Sequence, residues 1–233
     1  MIFFAPDCTM QYSEYTLSEL ESKHCIKVLR KVNGDEIELV NGMGGQFECK
    51  IIDDHYKKCK VKIMKRTHHE PAKRALHIAM AIPKSSERLE WFLEKATELG
   101  LTRLSLINCT NSERKTINRK RLEKIIVSAL KQSKRFYLPE IEEPIPFMKF
   151  IENEPNGYIG HCYEANKTHA RSISKATPIL IGPEGDFTIQ EVEEAKSSGY
   201  IEIELSENRL RTETAALCAV FYVKRAKGSP KKG

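Results

Sequence analysis

The sequence predicts an α/β protein in two domains, a small β-rich domain followed by a larger domain built on a mainly parallel sheet. Short apolar segments separated by turn signals occupy about the first 65 residues. From Ala75 onward, apolar strands alternate with amphipathic helices, as in βαβ units. A polar, proline-containing segment from Arg66 to Arg74 separates the two patterns. We therefore expect domains over residues 1–68 and 74–233.

The first domain is predicted to contain four strands and one helix. The strand segments are "IFFA", "GDEIELVNG", "GQFECKII" and "KCKVKIMK", with the turn signals "NG" and "GMGG" between them. A helix is predicted in "LSELESKHCIKVLRK", where Leu17, Leu20, His24 and Val28 recur at helical spacing. This composition favours a small β-domain with a single helical insertion.

The second domain is predicted to alternate five strands with four helices. The strands are "ALHIAMAI", "RLSLIN", "GYIGHCY", "TPILIG" and "YIEIEL". The helices are "SSERLEWFLEKATELG", "RKRLEKIIVSALKQSKR", one from Thr188, and one through "TAALCAVFYVKRA". Gly100 is placed to end the first helix, and Thr188 with Glu191 forms the capping-box pattern at the start of the third. Such alternation is typical of a parallel sheet covered by helices.

Composition excludes several classes of protein. Hydrophobic residues make up 40% and charged residues 30% of the chain, and no apolar run approaches the length of about 20 residues needed to span a bilayer. The N-terminal segment lacks the pattern of a signal peptide, so we expect a cytoplasmic protein. The seven cysteines are dispersed and never spaced as a C-x-x-C pair, which predicts buried thiols and no metal site. A net charge of +6 permits a polyanionic partner.

The segment "TPILIGPEGDFTIQEVEEA" joins a strand to a helix through a turn that contains two glycines. It matches neither the dinucleotide fingerprint nor the Walker loop, which require different glycine spacing. The turn follows the carboxyl end of a predicted parallel strand, where open α/β sheets present ligands. The pattern alone leaves two interpretations open, a ligand turn lined by backbone amides and a plain connection.

A second strand-to-helix turn, in "ELSENRLRTETAALCAVF", is rich in charge. Thr212 and Glu213 suit the start of a helix, where side-chain oxygens and negative charge are favourable. Helix capping does not account for Arg209 and Arg211, because cations are disfavoured at that end of a helix. An anionic partner would account for both arginines.

The predicted helix after Asn118 carries an apolar stripe and a basic stripe. Lys120, Lys124, Lys131 and Arg135 are separated by four, seven and four residues, and the region from Arg114 to Arg135 holds the densest positive charge in the chain. A solvated helix face is one interpretation of this pattern. Contact with an RNA or DNA backbone is the other.

Four segments together resemble a known family. "EKATELG", "QSKRFYLP", "LIGPEGDFT" and "LRTETAA" occur in this order at spacings similar to those of the 16S ribosomal RNA uridine-N3 methyltransferase family of the SPOUT class. "HCIKVLRKVNGDEIELVNGMGGQFECKI" is similar to the PUA-like β-barrel of that family. The resemblance implies an RNA-binding barrel followed by an α/β domain with a C-terminal deep trefoil knot. It also implies S-adenosylmethionine as cofactor and a homodimer.

The resemblance assigns residues to the cofactor pocket. One loop would contribute Ile181, Gly182 and Gly185, the next would contribute Leu205, Ser206 and Leu210, and the turn after "GYIGHCY" would form a third wall. Two positions depart from the family. Asp186 stands where the family commonly has a second glycine, and Ser206 adds a side chain where the family has glycine.

The chemistry of the implied reaction suggests two catalytic residues. N3 of uracil is a poor nucleophile while protonated, so methyl transfer needs its anion to be formed or stabilised. Arg211, within "LRTETA", is the candidate for stabilising negative charge or orienting a phosphate, and Glu213 is the nearest candidate base. The 16S RNA backbone would be held by Arg30 on the barrel and by the region from Arg114 to Arg135.

Two other functions remain open from the sequence. The first is a non-catalytic RNA-binding factor for ribosome assembly that has lost methyl transfer through Asp186 and Ser206. The second is a SPOUT methyltransferase that acts on another RNA position. A nucleotide hydrolase is disfavoured, because the chain lacks a phosphate loop and metal-binding carboxylates.

Overall fold

A computed structural model describes residues 1–73, 75–173 and 177–225. The chain forms two compact units. The first comprises Met1–Pro71 and Val127–Leu138, and the second comprises Ala72–Ile126 and the chain from Pro139 onward. Arg74, the predicted start of the second domain, lies outside the described residues. Within the described ranges, no helix has the length and apolar character that a membrane crossing requires.

The first unit is built on a five-stranded sheet. Its strands are β1 (Ile2–Phe4), β2 (Glu14–Thr16), β3 (Glu36–Val40), β4 (Gly45–Asp53) and β5 (Lys60–His68), in the order β1-β3-β4-β5-β2. Strands β1 and β3 are parallel, and the other neighbours are antiparallel. The four predicted strands are confirmed. Strand β2 was missed because its three residues are too few to show a period.

The predicted helix of the first unit is shorter and faces differently than its apolar spacing indicates. Helix α1 (Glu19–Lys23) continues into one π-helical turn, His24–Val28. Leu20 and Val28 are 75% and 65% exposed, whereas Cys25 and Ser22 are buried. The Ser22 hydroxyl accepts the Cys59 backbone N–H at 3.0 Å. This bond to the chain just before β5, together with the altered helical repeat, sets the buried face.

The segment Val127–Leu138 packs within the first unit. The Phe136 and His69 rings stack with centroids 3.5 Å apart, and the Tyr137 hydroxyl donates to the His69 carbonyl at 2.7 Å. The Gly44 N–H donates to the Phe136 carbonyl at 2.8 Å, and Gly44 has a φ of +92°. Glycine suits this turn, because other residues rarely adopt such a backbone conformation. Segments far apart in sequence therefore share one core.

The second unit is built on an all-parallel sheet. Its strands are β6 (His77–Ala81), β7 (Arg103–Asn108), β8 (Glu140–Ile141), β9 (Ile145–Pro146), β10 (Gly157–Gly160), β11 (Thr168–His169), β12 (Ile179–Ile181) and β13 (Tyr200–Glu204). Their order is β11-β13-β10-β12-β6-β7-β8, and β9 also pairs with β7. Strand β12 thus lies between β10 and β6, whereas β13 lies on the far side of β10. The predicted parallel sheet is confirmed.

Five helices occur between or after these strands in the described part of the chain, and residues 127–132 of the second one belong to the first unit. They are α2 (Ser86–Leu99), α3 (Arg119–Gln132), α4 (Phe147–Asn153), α5 (Ile189–Ser197) and α6 (Thr212–Arg225). The predicted helix end at Gly100 is confirmed by its φ of 104°. The predicted capping box of Thr188 and Glu191 is also confirmed. Helix α4 was not predicted.

A buried polar network lies at the amino ends of β6 and β7. The Ser105 hydroxyl donates to the Glu142 carboxylate, and Nε2 of His77 lies 2.7 Å from the Ser105 oxygen. Because the hydroxyl proton is directed to Glu142, Nε2 of His77 is the donor in the second bond. Arg103 also contacts Glu142, with its Nε at 2.8 Å. Burial lowers the pKa of His77 to about 4, with a smaller contribution from Arg103.

Candidate functional site

A cleft of about 450 Å³ lies at the carboxyl ends of β10, β12 and β13. This is the edge at which parallel sheets present ligands. The cleft has three walls, one following each strand. Its lining residues are Gly160, His161, Cys162, Lys167, Ile181, Gly182, Pro183, Glu184, Asp186, Ile203, Glu204, Leu205, Ser206, Glu207, Asn208, Arg209, Leu210, Thr212 and Ala215.

The "GPEG" turn after β12 forms the first wall. Ile181 and Gly182 line the cleft, and a Cβ added at Gly182 would lie 3.1 Å from the backbone nitrogen of Phe187. A side chain at position 182 would therefore disturb the turn. Gly185 is exposed and is not among the residues that line the cleft. Its carbonyl accepts the Asn111 amide at 3.1 Å, which supports the turn from outside.

The segment after β13 forms the second wall. Leu205, Ser206 and Leu210 all line the cleft. The Ser206 hydroxyl accepts the Asn208 N–H at 3.2 Å. The Thr212 hydroxyl donates to the Gly182 carbonyl at 3.1 Å, which joins the start of α6 to the first wall. Five of the six residues assigned to the cofactor pocket thus share one cleft.

The third wall is formed by the end of β10 and the segment after it, through Gly160, His161, Cys162 and Lys167. The Cys162 N–H donates to Oδ2 of Asp186 at 2.7 Å, and the Tyr163 hydroxyl donates to the Phe187 carbonyl at 2.7 Å. The Lys167 ammonium donates to the His161 carbonyl at 2.6 Å and closes the segment on itself. The first and third walls are therefore joined by direct hydrogen bonds.

His161 in the third wall was not singled out from the sequence. Its side chain is 1% exposed, and Nε2 lies 2.9 Å from Oε1 of Glu202 on the neighbouring strand β13. Nδ1 is buried with no hydrogen-bond partner in the described ranges. Burial lowers the pKa of His161, with Lys167 as a further cause, while Glu202 opposes the shift. The sequence offered one clue, the acidic residue Glu202 in the strand "YIEIEL". Sequence alone does not show that this strand pairs with β10, which brings Glu202 to His161.

Charged groups cluster around the start of α6. Arg88 lies between two carboxylates, 3.5 Å from Glu184 and 3.6 Å from Glu213. Glu213 is 7% exposed, and its Oε2 is buried without a hydrogen-bond partner among the residues described. Arg209 donates to the Glu184 carbonyl at 3.4 Å, and Arg211 is exposed. Positive and negative groups thus meet beside the cleft.

The residues expected to bind RNA differ in their surroundings. In the first unit Arg30 is exposed, whereas Lys131 pairs with the buried Glu21 at 2.7 Å. Arg135 is partly buried, and burial lowers its pKa.

In the second unit, Lys120 and Lys124 are exposed on α3. Arg114 donates to the carbonyls of Thr116 and Lys84, at 3.2 and 3.4 Å. Arg30, Lys120 and Lys124 are therefore the exposed cations of the predicted set.

Comparisons with known proteins identify the family. The RNA methyltransferase domain model matches residues 70–224, and the RNA methyltransferase PUA domain model matches residues 17–64. Ribosomal RNA small subunit methyltransferase E of Rickettsia conorii is 30% identical over 223 residues, 91% of each chain. The chain belongs to this family of RNA methyltransferases. The resemblance read from the sequence motifs is thereby confirmed.

Solved structures of similar proteins have the same fold as this chain. A Porphyromonas gingivalis protein described as a "probable rRNA-methyltransferase" is 34% identical and superposes with a TM-score of 0.86 over 97% of both chains. A Legionella pneumophila protein in complex with bound S-adenosylmethionine is 26% identical, with a TM-score of 0.82 over 97% of both chains. The α/β fold with an accompanying PUA-like domain is therefore the family's fold.

Proposed function

We propose that this protein methylates N3 of a uridine in 16S ribosomal RNA of the small ribosomal subunit, with S-adenosylmethionine as methyl donor. The observation that carries the proposal is the cleft with three walls at the carboxyl edge of the parallel sheet, whose lining includes Leu210 and Thr212, the chain neighbours of Arg211 and Glu213. Membership of the RNA methyltransferase family supplies the reaction class. The similarity to the small subunit methyltransferase E of Rickettsia conorii supports the substrate.

The residues of the cleft fit S-adenosylmethionine. A volume of about 450 Å³ falls in the range of roughly 300–1,000 Å³ typical of ligand pockets. Lys167 and Arg209 can bind a carboxylate, and the acids of the lining suit the positive charges of an ammonium and a sulfonium. Nδ1 of His161, which has no partner in the described chain, could accept a hydrogen bond from the ligand. Bound in this cleft, the cofactor would supply a methyl group activated by its sulfonium.

We propose the adenosine-binding residues of the cleft on the basis of the same lining. Ile181 and Gly182 would bind from the first wall, and Leu205, Ser206 and Leu210 would bind from the second. Gly185 would contribute through the shape of the turn, because it is exposed and its carbonyl is held by Asn111.

Glu213 and Arg211 are proposed to act on the uracil. Oε2 of Glu213 has no hydrogen-bond partner in the described chain and would accept the N3 proton once the uracil displaces the groups that cover it. Oε1 lies 3.6 Å from Arg88, which fixes the orientation of the carboxylate. Arg211 is exposed at the amino end of α6 and would stabilise the negative charge that develops on the base. Methyl transfer then depends on positioning and electrostatics.

RNA binding is assigned to the exposed cations of both units. We propose residues 1–68 as the RNA-binding domain, with Arg30 as a backbone contact, and residues 74–233 as the methyltransferase domain, with Lys120 and Lys124 as contacts. All three side chains are exposed. Lys131, Arg135 and Arg114 would act indirectly, because their cationic groups are engaged or partly buried.

A C-terminal trefoil knot is proposed from the strand order. After β10 the chain passes to β11 at the far edge, returns to β12 between β10 and β6, and then forms β13 beyond β10. Helix α6 then packs on α2, on β6 and on the short 3₁₀ turn Ala170–Ser172. A trefoil knot requires the C-terminal segment to pass through the loop that connects β10 with β12. The packing of α6 on the 3₁₀ turn of that connection is compatible with such a path.

A homodimer and a cytoplasmic location complete the proposal. Trp91 on α2 is 44% exposed and Phe221 on α6 is 46% exposed, and these two helices pack on each other. Aromatic side chains of this kind are enriched in subunit interfaces. Sedimentation of the purified protein should give twice the mass of the chain, and sedimentation as a monomer at micromolar concentration would contradict the dimer.

The decisive experiment offers labelled S-adenosylmethionine with naked 16S RNA, assembled small subunits and transfer RNA, and then maps the methylated nucleotide. We expect label at N3 of one uridine of 16S RNA. Label only in transfer RNA would contradict the substrate, and cofactor binding without methylation of any RNA would contradict the reaction.

A further inference from the structure

Asp186 occupies a backbone position that suits glycine. Its φ is +63°, and its N–H donates to the Pro183 carbonyl at 2.9 Å, which closes the turn. Aspartate visits this left-handed region more readily than most residues. The turn therefore adopts a conformation that suits glycine while it carries a carboxylate.

The Asp186 carboxylate connects two walls of the cleft. Its Oδ2 accepts the Cys162 N–H at 2.7 Å, and its Oδ1 accepts the Phe187 N–H at 2.8 Å. Hydrogen bonds to an ionised acceptor are short and roughly twice as strong as neutral ones. One side chain thus fixes the backbone on both sides of the cleft.

Within the described ranges, one other hydrogen bond joins the third wall to the first. The hydrogen bond from the Tyr163 hydroxyl to the Phe187 carbonyl is also at this junction. Cys162, Tyr163 and Glu164 are exposed, so packing contributes little to holding the segment. A glycine at position 186 would leave the Cys162 N–H without its acceptor.

We propose that Asp186 is a positioning residue that holds the segment after β10 against the "GPEG" turn and so preorganises the cofactor cleft. This inference rests on the proposed function of that cleft. Binding to a preformed site avoids the cost of ordering its walls. Loss of the carboxylate should therefore weaken binding of S-adenosylmethionine by about tenfold, while the rate at saturating cofactor is retained.

Cys162 provides a reporter that does not depend on catalysis. The residue lines the cleft, and although the side chain is exposed, partial desolvation and then Asp186 raise its pKa, while Arg209 and Lys167 oppose the shift. Removal of the Asp186 charge should increase the thiolate fraction and the rate of alkylation. Five of the other cysteines are buried and Cys218 is partly so, which makes peptide mapping of the modified thiol practicable.

The test compares Asp186→Gly and Asp186→Asn with the wild type and with Glu164→Gln. Asp186→Gly relieves any strain at the positive φ, and Asp186→Asn keeps one acceptor oxygen. Glu164→Gln removes a neighbouring exposed carboxylate and serves as the matched control. The measurements are calorimetric affinity for S-adenosylmethionine, KM and kcat, and iodoacetamide modification of Cys162 with and without cofactor.

We expect weaker cofactor binding in the order wild type, Asp186→Asn, Asp186→Gly, with little change in kcat and with faster alkylation of Cys162. Glu164→Gln should match the wild type. Wild-type affinity in both Asp186 variants would overturn the inference alone. Failure of the cofactor to protect Cys162 in the wild type while it still binds would overturn the assignment of this cleft, and with it the inference.

Discussion

Nε of Arg88 lies 3.6 Å from Oε1 of Glu213, while Oε2 of the same carboxylate is buried with no hydrogen-bond partner among the residues described. A buried polar atom without a partner costs free energy, which is why this oxygen motivates the role proposed for Glu213. The two oxygens of this carboxylate thus have different environments. One lies beside an arginine, and the other is buried without a partner in the described chain.

Substitution of Glu213 by glutamine should reduce methylation strongly without loss of cofactor. The amide cannot accept the N3 proton, and general-base catalysis contributes roughly 10²–10⁴-fold to rates. We expect kcat for 16S RNA to fall by at least about a hundredfold. Single-turnover assays and calorimetry provide the measurement. Glu87→Gln, on the exposed surface of α2 next to Arg88, is the control. Near-normal turnover of Glu213→Gln would exclude Glu213 as the base.

Replacement of Arg211 by alanine should separate chemistry from folding. The side chain is exposed, so its loss should leave the melting temperature and cofactor affinity unchanged. Loss of a preorganised donor to a developing anion typically costs about 10²–10³-fold in kcat. Lys224→Ala, an exposed cation on the same helix, should retain activity. If Arg211→Ala methylates RNA at the native rate, the role proposed for Arg211 is wrong.

Exposed and ion-paired lysines should contribute differently to RNA binding. Replacing both Lys120 and Lys124 by alanine should weaken RNA binding and lower the log–log salt slope by about 0.7 to 0.9 for each phosphate that is no longer neutralised. Lys131→Ala should instead destabilise the first unit, because Glu21 would lose its partner 2.7 Å away. Filter binding across a salt series and thermal unfolding separate these effects. Equal salt slopes for the wild type and the double variant would contradict the proposal that Lys120 and Lys124 contact RNA phosphates.

Acidification should destabilise the protein through His77. Burial holds the pKa of His77 at about 4, below the value of about 6.5 for an unfolded chain. Between these two pH values, His77 is protonated in the unfolded state and neutral in the native state. Stability is therefore lost as the pH falls from about 6.5 towards 4, by up to about 3 kcal/mol. Urea unfolding across this range measures the loss. In His77→Gln, the free energy of unfolding should depend less on pH between about 6.5 and 4. An unchanged pH dependence in this variant would show that other groups cause the loss of stability.

Patterns local in sequence predicted much of this fold. Gly100 and the Thr188–Glu191 pair marked helix ends correctly, because caps depend on a few neighbouring residues. The helical spacing of apolar residues wrongly predicted that Leu20 and Val28 are buried. The π-helical turn and the hydrogen bond from the Cys59 N–H to Ser22 orient this helix differently. Interactions at long sequence separation override local preference in such cases.

The walls of the cleft were predictable, but their connections were not. The two strand-to-helix turns carried recognisable motifs, and the structure brings Gly182 and Leu205 into one cleft. No local sequence pattern indicates that Glu202 contacts His161, which lies 41 residues earlier in the chain. Such pairs depend on strand order, and β12 is inserted between strands that precede it in the chain. The basic stripe on α3 likewise could not show that Lys131 was already paired.

All the residues that line the cleft lie between Gly160 and Ala215, and the central strand β12 pairs with two strands made earlier, β10 and β6. During synthesis, the first unit can therefore form its sheet, and β6 and β7 can pair, before any wall of the cleft exists. The second wall, which the segment leading into α6 completes, is the last wall of the cleft to be synthesised. Should the first unit bind RNA and the cleft bind the methyl donor as we propose, a nascent chain would bind RNA before it could bind the donor.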